Sequence, residues 1–150
     1  KRHARIPLED EIEVILSYLD IEKLRYDNKL FIESDIKAYQ TYIPPLSLQP
    51  LVENAIEHGF KHNEPLTIKI KTHSEDGFVI ILIEDDGVGM DEVTLQNALE
   101  NKSGRIGLAS TIKRINILPQ ASFEIESSLN KGTRILIRLK ELNHEESHNN

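Results

Sequence analysis

Six consecutive apolar residues, Phe78, Val79, Ile80, Ile81, Leu82 and Ile83, constrain this chain more than any other stretch, because they run straight into Glu84, Asp85, Asp86 and Gly87. The run is too short for a buried helix and rich in β-branched side chains, so it predicts a central strand buried on both faces. A sheet must be built around it. Leu66, Ile68 and Ile70 alternate with Thr67, Lys69 and Lys71, a strand with one wet face. Glu75, Asp76 and Gly77 turn the first strand into the second as a hairpin. Asp85 then closes an inner strand, where a carboxylate has to be paired, solvated or functional. Gly87 and Gly89 let the backbone turn sharply and a flat ligand approach closely. The same residues also read as an ordinary strand-end turn.

A second stretch, residues 51–60, reads at a helical period. Leu51, Ala55 and Ile56 point to a core, while Asn54 and His58, four residues apart, share another face. Gly59 offers that helix a place to stop. Pro44 and Pro45 close the linker before it, and Pro50 falls in its early turns; a start at Leu46 implies local distortion there.

Upstream, Pro7 suits a helical first turn, with Glu9, Asp10 and Glu11 at the positive end and Leu8, Ile12, Ile15 and Leu19 on one stripe to about Arg25. Asp27 and Asn28 turn into a short strand over 29–34. Asp91 caps a helix to about Leu99, and 101–105 reads as a mobile loop. A helix follows from Leu108 to Leu118, ended by Pro119. Strands over 122–126 and 133–139 are joined by a hairpin turn at 130–132. Beyond Leu142 nothing can join a core.

The 150 residues suit one domain, and 39% hydrophobic with 29% charged residues suits a globular chain. A net charge of −7 argues against a general nucleic-acid surface but leaves room for a nucleotide in a local site. Without cysteine there is neither a disulfide framework nor thiolate chemistry. No apolar run is long enough to cross a membrane. A start at Lys1 suits a fragment.

Gly104, Gly107 and Leu108 open a helix whose backbone N–H groups favour phosphate oxygens, though the sequence is neither a Walker A loop nor a dinucleotide fingerprint. Asn54 offers a neutral oxygen of the kind magnesium accepts beside water and phosphate. Gly132 and Thr133 alone read as a hairpin exit. Taken in order, the segments at Asn54, at Asp85 to Gly89, at Gly104 to Leu108 and at Gly132–Thr133 resemble the N, G1, G2 and G3 boxes of the GHKL ATPase and kinase superfamily. Pro44, Pro45 and the stretch from Leu48 to Gly59 are similar to LytS-like sensor histidine kinases. Residues 18–25 resemble the helix that precedes their ATP-binding domain.

The resemblance covers residues 7–140 and implies a two-layer α/β sandwich of the Bergerat type: about three helices on one face of a mixed, mainly antiparallel sheet of about five strands. It implies a linker helix over 1–26, an ATP-binding catalytic domain over 27–142 and a loose tail over 143–150. By position, Asn54 would hold Mg2+ against the phosphates of ATP, and Asp85 would bind the adenine amine beside Gly87, Gly89 and Thr133. His58 and Lys61 would face the phosphates, residues 90–106 would form a lid, and Gly107 with Leu108 would start the phosphate-side helix. Glu53 is either the base for an incoming histidine or the acceptor of a structural hydrogen bond.

Three positions depart from the family pattern: Glu57 where many histidine kinases have Lys, Arg105 where the lid often has Gly, and Pro50 where hydrolytic members carry a Glu base. Arg105 or Lys102 could supply the missing charge, Arg105 could equally stiffen or block the lid, and Pro50 favours phosphoryl transfer over hydrolysis. No phosphoacceptor histidine motif is present, so the chain is expected to bind ATP without phosphorylating itself. The implied partners are an upstream histidine-bearing domain, a response regulator (LytTR type) and a second protomer in the full-length protein, with no direct nucleic-acid binding. The implied location is the cytoplasmic side of an inner-membrane sensor. The competing readings are a degenerate nucleotide-binding module, a GHKL ATPase and a serine kinase of the anti-sigma-factor type.

Overall fold

The computed structural model describes residues 4–102 and 107–142. Arg105 and residues 143–150 lie outside them. One five-stranded sheet organises the chain, in the order β2-β4-β5-β7-β6. It is formed by β2 (Leu30–Ile36), β4 (Leu66–Glu75), β5 (Phe78–Asp85), β6 (Ser122–Ser128) and β7 (Gly132–Lys140). The β2–β4 pair is parallel, with Leu30 opposite Leu66; the other three pairs are antiparallel. A parallel pair needs a crossover, and α2 (Gln49–Gly59) lies within that connection.

Among the described residues α1 (Leu8–Tyr26), α2, α3 (Glu92–Leu99) and α4 (Leu108–Ile117) complete an α/β sandwich. Their apolar sides join Ile68, Ile70, Val79, Ile81, Ile83, Ile135 and Ile137 in one core. Leu8, Ile12, Ile15 and Leu19 of α1 are part of that core, each at most 4% exposed. The stripe at helical spacing therefore packs on its own domain. Val14, Ile21 and Leu24 remain exposed.

The run 78–83 does form the central strand, but it is not equally covered on its two faces. Val79, Ile81 and Ile83 enter the core; Ile80 is buried apart from it and Leu82 is only half-buried. Helices cover one face, so the uninterrupted apolar run overstated the burial of the other.

Boundaries moved where backbone chemistry intervened. Pro7 is not in the first helical turn: it pairs with Tyr42 in a two-residue strand, β1 (Ile6–Pro7) against β3 (Tyr42–Ile43), and stands just before α1. Leu46 adopts φ 59°, which no helix allows, so α2 starts at Gln49 and puts Pro50 where its missing N–H costs nothing. Gly59 is the last helical residue rather than a left-handed cap; the chain leaves through Phe60 at φ −63°, ψ 127°. Leu118 is extended, as expected of a residue before proline, so α4 stops at Ile117. Asp91 caps α3 as expected, accepting a 2.7 Å bond from the Thr94 N–H.

Candidate functional site

A narrow slot of about 40 Å3 opens between α2 and the sheet end where β5 stops. Asn54 and His58, one turn apart and both half-buried, line it together with Leu51, Ala55 and Gly59. From the sheet come Ile83, Asp85, Ile125, Thr133 and Ile135; Gly89, Met90 and Leu108 complete the walls. Asp85 sits opposite Thr133 in the β5–β7 register and opposite Ile68 in the β4–β5 register. The strand-end acid and the helix amide thus share a cavity, although 31 positions of sequence separate them, residues 54 and 85.

The polar end of the slot is held by short hydrogen bonds. Asp85 Oδ1 accepts from the Gly87 N–H at 2.9 Å. The Ser127 hydroxyl meets Thr133 Oγ1 at 2.8 Å, reaches the Gly132 carbonyl at 3.1 Å and accepts from the Met90 N–H at 2.8 Å. Ser127 has one hydroxyl hydrogen, so when Gly132 receives it Thr133 donates to Ser127 and keeps its lone pairs for the slot. Ser127 is a residue the sequence reading missed. It shares strand parity with Phe123 and Ile125, which was the available signal, but the strand was ended at 126, two residues short of Ser128.

The glycines answer to backbone crowding as much as to a ligand. A Cβ on Gly87 would strike the Gly59 carbonyl, and one on Gly132 would strike the Asp85 carbonyl. Gly89, at φ 68°, lies against the Ser128 carbonyl, and Gly107, at φ 87°, would place a Cβ 2.6 Å from Pro50 Cβ. Val88 N–H donates to Gly59 O at 2.7 Å and Asn130 N–H to Val88 O at 2.6 Å, stitching α2, the 86–90 loop and the β6–β7 turn together. Such approaches admit only glycine.

Of the sequence-predicted residues, Asn54, His58, Asp85, Gly89, Leu108 and Thr133 line the one slot. Gly87 and Gly107 stand behind it as the joints just described. Lys61 turns to the β6–β7 turn, where its Nζ donates to Asn130 O at 3.2 Å and lies 4.0 Å from Glu64. Glu53 accepts from Gln49 Nε2 at 2.9 Å on the α1 side of the helix. It is near enough to Tyr18 to help hold that phenol, pushed up to about 12 by burial first and then by Glu22 and Glu53. Glu57 lies 3.9 Å from His58 Nε2. Among the described residues no three His, Cys, Asp or Glu side chains are grouped to hold a metal. Asn54 can offer one neutral oxygen to a cation that takes its other ligands from water and a bound molecule. The slot's apolar walls and acid–hydroxyl end carry the chemistry a purine edge needs, but at about 40 Å3 the slot has to widen to admit one.

Comparison with known proteins agrees with this geometry. Residues 45–143 match the family described as histidine kinase-, DNA gyrase B- and HSP90-like ATPase. Sensor protein LytS of Bacillus cereus is 32% identical over 146 residues, covering 89% of this chain and 24% of that protein. Sensor histidine kinase YesM of Bacillus subtilis is 34% identical over 140 residues, with the same coverage of 89% and 24%. The chain thus spans about a quarter of the length of these relatives. Among solved structures, the catalytic domain of histidine kinase ThkA superposes with a TM-score of 0.72 at 15% identity, covering 94% of this chain and 98% of that one. Acinetobacter baumannii histidine kinase AdeS does so with a TM-score of 0.70 at 19% identity, covering 95% and 70%. With its Asn54-bearing helix, its Asp85 strand end and its glycine joints inside the matched span, the chain belongs to the histidine kinase-, DNA gyrase B- and HSP90-like ATPase family, and within it is similar to the LytS-like sensor kinases.

Proposed function

We propose that this chain binds Mg-ATP and transfers the γ-phosphoryl group to a histidine on an upstream domain of a two-component sensor kinase. The observation that carries the reading is the single slot lined by Asp85 and Thr133 at one end and by Asn54 and His58 on the helix opposite. Asp85 accepts from the exocyclic amine of adenine, and Ile83, Ala55, Met90 and Ile135 exclude water from the ring. Asn54 would hold magnesium, which when bound would neutralise charge on the phosphate oxygens. The α4 N-terminus and Gly107 face the phosphates, with residues 90–106, Arg105 included, as the lid. His58 lines the slot beside Asn54, while Lys61, turned to the β6–β7 turn, would have to swing back to reach a phosphate.

Catalysis of this kind is mostly positioning and electrostatics. The acceptor imidazole nitrogen bonds to the γ-phosphorus, the bond to the β–γ bridging oxygen breaks, ADP leaves, and Glu53 takes the imidazole proton. Glu53 lies on the α1 side of α2. A domain joined through α1, for which residues 1–26 serve as the linker, would arrive from that side. Pro50 stands where the hydrolytic relatives place their water-polarising Glu, which supports transfer over hydrolysis. The response regulator, dimerisation of the longer protein and placement on the inner side of a membrane follow from the same reading.

Thermal-shift titration with Mg-ATP tests binding: ligand at about 100 times its dissociation constant stabilises the fold by about 2.7 kcal/mol. Asp85→Asn removes most of that shift, because an amide turns a donor toward the adenine amine. Adding the histidine-bearing domain of the longer protein then measures phosphotransfer. Full binding with no transfer would replace the kinase reading by the degenerate binding module that Glu57, 3.9 Å from His58, would favour.

A further inference from the structure

The loop that leads into α2 is gripped from two sides by charged side chains to which the nucleotide reading gives no task. Glu11 of α1 is 2% exposed. Its Oε1 accepts from the Ser47 N–H at 2.8 Å and the Leu48 N–H at 3.1 Å, and its Oε2 from the Leu46 N–H at 3.3 Å. On the other side, Arg114 of α4 donates from Nη1 to Pro45 O at 2.8 Å and from Nη2 to Leu46 O at 3.1 Å. The same guanidinium reaches Thr111 Oγ1 at 3.3 Å and, through Nε, Ser110 O at 3.4 Å. Leu46 is the residue at φ 59°, a conformation an unbranched turn glycine adopts freely and leucine resists. Its amide goes to the carboxylate and its carbonyl to the guanidinium, so the strained residue is pinned between opposite charges. Ser47 Oγ closes the turn on Pro44 O at 2.6 Å.

This clamp bears on one end of the slot only. Pro50, the second residue of α2, lies against Gly107 at the start of α4. Asn54 is one turn further along the same side of α2. The two helices are thus fastened twice, at Pro50 and Gly107 beside the slot and at Arg114 behind it, while Glu11 ties α1 to the same loop. The Asp85–Thr133 end is held by strand register and by Ser127, which neither charged residue touches.

We propose that Arg114 and Glu11 are positioning residues for phosphoryl transfer, which hold Asn54 in register with the N-terminus of α4 by gripping the 44–48 loop from α4 and from α1. The inference rests on the Mg-ATP reading of the slot. It assigns the phosphate end of the site, and not the adenine end, to the clamp. A guanidinium serves two carbonyls at once through a rigid planar fork, which lysine's single nitrogen imitates only in part.

Calorimetric titration of wild type, Arg114→Ala, Arg114→Lys and Glu11→Gln with Mg-ATP and with adenosine tests it. Arg114→Ala should weaken Mg-ATP by about tenfold, or about 1.4 kcal/mol, while adenosine changes by less than about twofold. Arg114→Lys should fall between, and Glu11→Gln should shift in the same direction. If Arg114→Ala does not fold, the lysine and glutamine variants, each keeping part of the clamp, carry the same comparison. Equal weakening of both ligands, or unchanged Mg-ATP affinity, would overturn the proposal. Wild type that binds no Mg-ATP would instead refute the reading of the slot, and the clamp's role with it.

Discussion

Ile81 and Leu82 are neighbours on β5, yet they meet different surroundings. Ile81 is fully buried under the helices, in a column that includes Ile68, Ile70, Ile83, Ile135 and Ile137, none more than 6% exposed. Leu82 faces the other way, onto a surface of charged side chains. There one row crosses all five strands in register as Glu33, Lys69, Glu84, Arg134 and Glu126, alternating in sign at every step. Lys69 lies 3.7 Å from Glu33 and Arg134 3.4 Å from Glu84, while Arg138 stacks 3.5 Å over the Phe78 ring. Exposed pairs like these fix which strand lies beside which, but water screens them, so stability must come from the covered face. Function follows the same division. Asp85 and Thr133 continue the covered column past its aliphatic part as a half-buried acid and hydroxyl, where polar groups interact more strongly than they would in open water.

Truncation should separate the two faces most sharply. Ile81→Ala is expected to cost roughly 2–5 kcal/mol by urea denaturation, and Leu82→Ala only about 1 kcal/mol. Equal losses would break the contrast. Gly132→Ala comes next, at about 1–3 kcal/mol, because the new methyl meets the Asp85 carbonyl at a positive φ. It should also disturb the slot, so nucleotide binding has to be measured beside stability. On the open face, Glu84→Gln should cost less than about 1 kcal/mol and nothing measurable near 1 M salt. A large, salt-resistant loss would mean that the charged row carries more of the fold than its exposure allows.

The smallest effect concerns Tyr18, at the α1–α2 boundary. Its folded value of about 12 lies above the ordinary 10.0, so it contributes stability in full below pH 10 and loses it as pH rises toward 12. Absorbance titration should find one of the four tyrosines ionising late, and Tyr18→Phe should abolish that phase.

Legibility differed in the same way across the slot. Asn54 and His58 could be placed on one helix face from their spacing, and Asp85 at a strand end from the acid after the apolar run. Each is a short-range pattern. The crowding that demands glycine at 87 comes from Gly59, and that at 132 from Asp85, so the demand is invisible until distant segments meet. Leu46 carries no turn signal at all; its left-handed backbone is imposed by Glu11 and Arg114, 35 and 68 positions away. Ser127 was lost for a smaller reason, an edge strand that runs past its alternating residues to Ser128.

Periodicity, turn chemistry and the order of the glycine segments determined the elements, their class and the family, because these are properties of neighbouring residues. Tertiary structure decided which face of β5 is dry, which glycines are joints rather than ligand walls, and how the loop before α2 is held. Those depend on contacts closed across long stretches of chain, where a single carbonyl or guanidinium from elsewhere outweighs the local preference of the residue it meets.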